Sequence, residues 1–251
     1  MKQFLRSLLH AALDAVLRSR SRAWFPAADS RCLIIAPHPD DEVLGCANLI
    51  QRHGVAGRPV ELVYLTSGAA SHPDHPRLEP AEIGRMRQAE ARQAVQLLGV
   101  DQTCLHFLGA PDGSLDRLPP DALAQTTRQI AAVLERFQPT LICLPSRDDA
   151  STEHVAAYDL VQAALTGMNL RARVWEYPIW SRWSPRHLLP LCGAPGKIWR
   201  PAPGAPATLK RQAIACYRSQ TEPTPPWTQA VLPPGFADYF ATAGEYFFEG
   251  R

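Results

Sequence analysis

Five short apolar runs punctuate residues 32–180, and stretches with helical periodicity lie between them. The runs are CLIIAP (32–37), VELVYLTSG (60–68), CLHFLGA (104–110), TLICLPS (140–146) and RVWEYPIW (173–180). Glu42 to His53 repeats apolar residues at helical spacing and stops at Gly54, and residues 80–98 stop at Gly99. Asp121 to Phe137 and residues 152–166 read as two more helices. Strands alternating with helices of this length make βαβ units and a mostly parallel sheet. Right-handed crossovers then place helices on both faces. The expected fold is α/β, a Rossmann-like, doubly wound arrangement. No GxGxxG follows the first apolar run, so the dinucleotide fingerprint is missing and a nucleotide-dependent oxidoreductase is disfavoured.

The flanks differ from this middle. Within residues 1–30, Phe4, Leu5, Leu8, Leu9, Ala12, Val16 and Leu17 recur at helical spacing opposite a basic face. This is an amphipathic helix, read either as packed on the domain or as a peripheral contact with an anionic membrane. Six prolines fall in residues 185–206 and five more in 222–235, which predicts loops or extended segments there rather than core helices. Thr208 to Tyr217 is a short helical candidate between them. With no internal repeat and no clear linker, residues 31–251 are expected to form one domain with a loop-rich C-terminal part.

Composition excludes several functions. The chain has 26 basic and 24 acidic residues and no block of either sign, so nothing favours nucleic-acid binding. No run of 18 apolar residues exists, and no transmembrane span is expected. No secretory signal is visible, and none of the six cysteines forms a CxxC pair. Cys32, Cys104 and Cys143 read as small buried hydrophobes with free thiols, which fits a reducing, cytoplasmic compartment. The sequence does not specify an oligomeric state.

The most informative stretch is His38-Pro39-Asp40-Asp41-Glu42, placed where a strand ends and a helix begins. In open α/β sheets ligands bind at the carboxyl edge of the strands. Carboxylates this close repel one another and raise one another's pKa, and a divalent cation relieves that repulsion. Histidine nitrogen and carboxylate oxygen are good zinc ligands, and a catalytic zinc usually takes three from the protein. A third should come from another strand end. The run ending in Ser146 is followed by Arg147, Asp148, Asp149, Ser151, Glu153 and His154, and His154 is the natural third ligand.

The HPDDE element followed by a later histidine at a strand-to-helix turn resembles the LmbE-like family of zinc deacetylases, also called the PIG-L family. Further motifs agree in order: Arg87-x-x-Glu90 before Leu98-Gly99-Val100, Gly109-Ala110-Pro111-Asp112-Gly113, and Lys210 with Tyr217-x-Ser219-Gln220. The similarity covers roughly residues 32 to 220. It implies a Zn2+ cofactor held by His38, Asp41 and His154, with Asp40 as general base. It also implies hydrolysis of an N-acetyl group on a small-molecule or lipid-linked amino sugar of the N-acetylglucosamine type. Arg87 and Asp112 become candidate substrate contacts. The family commonly has a histidine where this chain has Ser151, and an aspartate where it has Glu153. A serine donates a hydrogen bond but supplies no proton near neutral pH. Either Asp40 does both jobs, or another histidine enters the site; His75, in the loop with His72, is the candidate.

Plainer readings exist for each residue. His38 and its acids suit a helix N-terminus, Ser151 an N-cap, Asp112 a Pro-Asp-Gly turn and Arg87 a solvated helix charge. Asp148 and Asp149 either cap the next helix or support a metal ligand. The tryptophans at 175, 180, 183, 199 and 227 suit core or loop packing. Two functional alternatives accompany the deacetylase: a zinc amidohydrolase for another N-acyl substrate, and a non-catalytic glycan- or lipid-binding protein with a degenerate site.

Overall fold

All five residues of Cys32–Ala36 are buried because this strand lies at the centre of a sheet covered on both faces. In the computed structural model, residues 2–202 and 207–250 are described; the expectations for Phe4 and Leu5 and for residues 203–206 lie outside the described side chains and residues. The elements, in order, are α1 (Lys2–Arg20), β1 (Arg22–Trp24), β2 (Cys32–Ala36), α2 (Asp41–Val55), β3 (Val60–Thr66), α3 (Pro80–Leu97), β4 (Leu105–Ala110), α4 (Pro120–Phe137) and β5 (Leu141–Pro145). There follow α5 (Thr152–Leu165), β6 (Arg173–Tyr177), α6 (Trp180–Trp183), α7 (Pro185–Gly193), β7 (Lys197–Pro201), α8 (Ala207–Ala215), α9 (Arg218–Thr221), α10 (Phe236–Thr242) and β8 (Phe247–Glu249).

The eight strands form one open sheet in the order β1-β7-β8-β6-β5-β2-β3-β4. Every pairing is parallel except those of β8 with β6 and β7. Side chains of the central strands alternate between two cores, as the two-residue strand period requires. Cys32, Ile34, Leu62 and Tyr64 pack with α2, α3 and α8. Leu33, Ile35, Val63 and Ile142 pack with α4 and α5. The doubly covered, mostly parallel sheet is the expected architecture. Because β2 is followed by β3 on one side and has β5 on the other, the chain reverses its winding at β2, and a crevice opens at the carboxyl ends of these strands.

The proline-rich C-terminal part is more ordered than its composition suggests. Residues 185–193 form α7, against the expectation of loop, with Pro185 in the first turn and Pro190 inside the helix. Pro185 loses nothing there, because the first N–H groups of a helix are unpaired anyway. Pro190 removes an interior hydrogen bond at a cost of ~3 kcal/mol. Burial of Leu188 and Leu191 against Leu13 and Leu17 of α1 offsets it, at ~1.5–3 kcal/mol per side chain. Thus α1 is packed on the body by its Leu13 and Leu17 edge, while Leu8, Leu9 and Val16 remain exposed.

A buried ion pair fastens the C-terminal elements to α2. Lys210 Nζ donates to Leu44 O at 2.9 Å and to Glu245 Oε1 at 2.8 Å. Glu245 accepts the N–H groups of Asn48 and Leu49 at 2.8 and 3.1 Å. Leu44 O and Asn48 N are the carbonyl and amide that an α-helix joins to each other, so the pair engages the hydrogen-bond ladder of α2 itself. Glu245→Ala leaves a buried lysine uncompensated. Urea denaturation is expected to show a loss of ~3–5 kcal/mol, part of which returns in Lys210→Met/Glu245→Ala.

Candidate metal centre and catalytic cleft

The turn from β2 into α2 is built by its own carboxylates. Asp41 Oδ2 accepts the backbone N–H of His38 at 3.0 Å, and Glu42 Oε2 accepts that of Asp40 at 3.0 Å. Thr66 at the end of β3 donates both its N–H and its hydroxyl to Pro37 O, each at 3.0 Å. Asp40 is the helix N-cap and adopts φ 131°, ψ −29°, a strained conformation for a residue with a Cβ. Arg87 of α3 holds it there. Its Nη2 lies 3.2 Å from Asp40 Oδ1 and also donates to Pro39 O, while Nη1 donates to Gly68 O at 3.2 Å. Gly68 has φ 70°, and a Cβ there would stand 2.2 Å from Arg87 Nη1, so glycine is required.

The other side chains arrive from neighbouring strand ends. His38 Nδ1 lies 3.3 Å from Asp41 Oδ2, and its Nε2 lies 2.9 Å from Glu153 Oε2 and 3.3 Å from Asp112 Oδ1. Asp112, after β4, accepts from Thr66 Oγ1 at 3.1 Å and from Ala70 N at 2.6 Å. Glu153 accepts from Leu115 N at 3.0 Å. His154, fully buried in the first turn of α5, has Nδ1 2.8 Å from Asp149 Oδ2. Asp149 in turn accepts the N–H groups of Ala150, Ile179, Trp180 and Ser181. Burial would raise its pKa, but the contact and charge of His154, and then the Ser181 contacts, hold it below its usual range.

The charges are graded across the site. Burial pushes Asp40 up to about 7, with Asp41 adding to the rise and Arg87, His38 and His154 pulling it back. Burial would raise Asp41 as well, but the charge of His154 and the contacts of His38 hold it below its usual value. Asp112 sits at about 2, because His38, the Ala70 N–H and Arg87 outweigh its burial. Burial takes Glu42 to about 8, and Tyr217 donates its hydroxyl to it. A carboxyl that exchanges its proton near neutrality therefore stands beside one that stays ionised.

Two groups of three share His38: His38, Asp41 and His154, and His38, Asp112 and Glu153. The first fits a metal ion better. Asp41 faces both rings, with Oδ2 3.3 Å from His38 Nδ1 and Oδ1 3.4 Å from His154 Nε2. Two tetrahedral zinc ligands, each at ~2.1 Å, are ~3.4 Å apart. Both ring nitrogens of His154 are buried without a well-aligned hydrogen bond; Nδ1 lies against Asp149, and Nε2, aimed at Asp41, is a nitrogen that a cation could take in place of a proton. In the second group the carboxylates are already committed to Thr66, Ala70 and Leu115. They orient the His38 ring from its far nitrogen, as carboxylates commonly do for a metal-bound imidazole.

The cleft over these residues has a volume of about 530 Å³. Asp40, Arg87, Asp112, Ser151 and Glu153 line its polar end, and Ile179, Trp180, Val231, Leu232 and Phe236 line an apolar wall. Ser151 occupies the N-cap position of α5 without a side-chain capping bond. His75 is not brought into the cleft. Its Nδ1 accepts from Arg77 and Leu78 N–H groups, and its ring packs beside Trp227 at 5.4 Å. Contributions that sequence reasoning missed or left open are Glu153, Asp149, and Gln220, which lines the cleft beside Ser219. The Arg87-x-x-Glu90 and Ser219-Gln220 motifs meet here: Glu90 accepts the Ser219 N–H at 2.8 Å and its hydroxyl at 2.6 Å.

The sequence profile of the PIG-L family, described as GlcNAc-PI de-N-acetylase, matches residues 33–165, more than half of the chain and the whole of the strand-to-helix turns that carry these side chains. The chain belongs to the PIG-L family. A relative from Mycobacterium sp. (strain KMS), named 1D-myo-inositol 2-acetamido-2-deoxy-alpha-D-glucopyranoside deacetylase, is 29% identical over 175 residues, 59% of this chain and 52% of that protein. This chain thus spans about half the length of the curated relatives it matches. Among solved structures, the N,N'-diacetylchitobiose deacetylase of Pyrococcus horikoshii superposes with a TM-score of 0.62 at 19% identity, covering 98% of this chain and 91% of that one. GalB, the 4-carboxy-2-hydroxymuconate hydratase of Pseudomonas putida KT2440, does so with a TM-score of 0.59 at 21% identity, covering 84% and 82%. At these identities the likeness is one of fold, and that fold carries more than one reaction.

If Asp149 orients a metal-binding His154, removing its charge should loosen the metal. For Asp149→Asn, which keeps an acceptor oxygen for the N–H groups of residues 179–181, a competitive chelator titration is expected to show zinc affinity lowered ~10–100-fold, with the fold retained.

Proposed function

We propose that this PIG-L family member is a zinc-dependent N-deacetylase acting on an amino-sugar conjugate of the N-acetylglucosamine type, small-molecule or lipid-linked. The observation that carries the reading is the buried, unbonded His154 Nε2 facing Asp41 and His38, next to an Asp40 that the three-ligand set leaves free. His38, Asp41 and His154 would hold the ion. Bound there, zinc supplies Lewis acidity toward an acetamide oxygen and lowers the pKa of water toward ~7.

The remaining work falls to the chain's own side chains. Asp40 takes a proton from the attacking water as its oxygen bonds to the acetyl carbon. Arg87, bonded to Asp40 and to the turn on either side of it, fixes the direction of that carboxylate. Asp40 then returns the proton to the sugar nitrogen as the C–N bond breaks, giving acetate and the free amine. Ser151, which lines the cleft where the family has histidine, donates a hydrogen bond but no proton. Proton delivery therefore rests on Asp40. The sugar lies against Asp112 and Ser151, and the apolar wall of Ile179, Trp180 and Leu232 receives the group attached to it.

Two wider features belong to this reading. The six free cysteines support a reducing, cytoplasmic setting. No helix among the described residues is long and apolar enough to cross a membrane, but the exposed Leu8, Leu9 and Val16 of α1 support peripheral contact with a membrane surface.

Acetate release from an N-acetylglucosaminyl-inositol and from simple N-acetylglucosaminides tests the activity, with bound metal measured on the same samples. Asp40→Asn is expected to keep its zinc and lose turnover by ~10²–10⁴-fold. His154→Ala is expected to lose the zinc itself. An Asp40→Asn enzyme with full turnover, or a His154→Ala protein with full zinc, overturns the assignment.

A further inference from the structure

A second cleft, of about 910 Å³, lies on the far side of the apolar wall of the catalytic cleft. Trp180 and Phe236 line the catalytic cleft, whereas Trp183 and Gly235 line the second. The Phe236 ring packs against both tryptophans, with centroids 4.9 and 5.1 Å away. One long side of the second cleft is α1, which contributes lining residues from Arg6 through Ser19. From Arg6 to Arg18 that is about 18 Å of helix. Residues of α10 form the opposite side. Small side chains at Ala11, Ala15, Gly235 and Ala243 keep the space between them open.

The floor is aromatic. The rings of His10 and Tyr239 lie 4.3 Å apart, and Trp183 lies 5.6 Å from His10. The charges around it are unbalanced. Asp14 is taken up by Arg182 at 2.9 Å and by the Tyr246 hydroxyl at 3.1 Å, and Asp238 pairs with Arg211 at 3.0 Å. Arg6 lies 4.6 Å over the Trp183 ring, and neither Arg6 nor Arg18 has an ion pair among the described residues. A long groove with an aromatic floor and an uncompensated guanidinium toward each end matches a ligand that is elongated, apolar along its length and anionic at one end.

We propose that this cleft binds a single-chain anionic amphiphile, a long-chain carboxylate, with the chain along the His10, Tyr239 and Trp183 floor and the carboxylate on Arg6 or Arg18. This site is separate from the metal centre, and its occupancy requires neither zinc nor turnover.

Isothermal titration calorimetry of the full chain with dodecanoate, kept below its critical micelle concentration, tests it. Saturable binding at one site per chain is expected. Ala11→Trp and Ala15→Trp fill the groove from an exposed helix face, and each is expected to abolish the heat while circular dichroism shows an intact fold. Arg6→Gln/Arg18→Gln is expected to weaken binding by about tenfold or more, the loss of a charge-assisted contact. Dodecyltrimethylammonium, with the same chain and the opposite charge, is expected not to bind. The proposal is overturned if the wild-type chain shows no saturable binding, if both tryptophan variants bind as the wild type does, or if the ammonium binds as tightly as the carboxylate.

Discussion

Three consecutive carboxyl groups, Asp40, Asp41 and Glu42, are buried side by side at the end of the central strand, and the rest of the structure is arranged to make that tolerable. Buried like charges cannot all remain ionised without partners. The fold gives each a different answer. Asp41 faces two imidazoles and stays ionised. Asp40 is set against Arg87 and exchanges its proton near neutrality. Glu42, directed into the core, meets the hydroxyl of Tyr217 and is the most easily protonated of the three. Environments that separate the pKa values of adjacent acids also separate their roles; under the proposed function Asp41 would hold a cation and Asp40 would move a proton.

That separation depends on elements far apart in the chain. Arg87 comes from α3, Tyr217 from the turn into α9, and His154 from α5, where Asp149 fixes its ring. Asp149 also receives three N–H groups from residues 179–181, so the start of α6, which carries the apolar wall, is tied to the same carboxylate that orients His154. The Lys210–Glu245 pair fastens the C-terminal elements to α2, the helix whose first residue is Asp41. The apolar wall of the cleft and the candidate metal ligands are thereby built on one frame.

Much of this was legible in the sequence. β2 through β6 announce themselves because each is a short, mostly apolar run bounded by turn residues. HPDDE and His154 were legible because HPDDE follows the end of β2 and His154 opens the helix that follows β5. The remaining strands were not: β1 and β8 are three residues long, too short for a pattern, and β7 is lodged in a proline-rich segment. The helix α7 was hidden by its two prolines; the cost of Pro190 is offset by leucines that contact α1, more than 160 residues away in sequence. His75 stood at the correct sheet edge, but its loop turns back so that the ring lies beside Trp227. The roles of Glu153 and Asp149 needed the packed arrangement, since nothing local indicates which carboxylate meets which imidazole.

The central claim is that His38, Asp41 and His154 together hold one zinc ion. X-ray absorption at the zinc edge on the loaded protein tests it most directly. The expected result is a shell of nitrogen and oxygen neighbours only, at ~2.0–2.2 Å, with the outer scattering of two imidazoles. A sulfur neighbour at ~2.3 Å, or outer scattering from any number of imidazoles other than two, would contradict it.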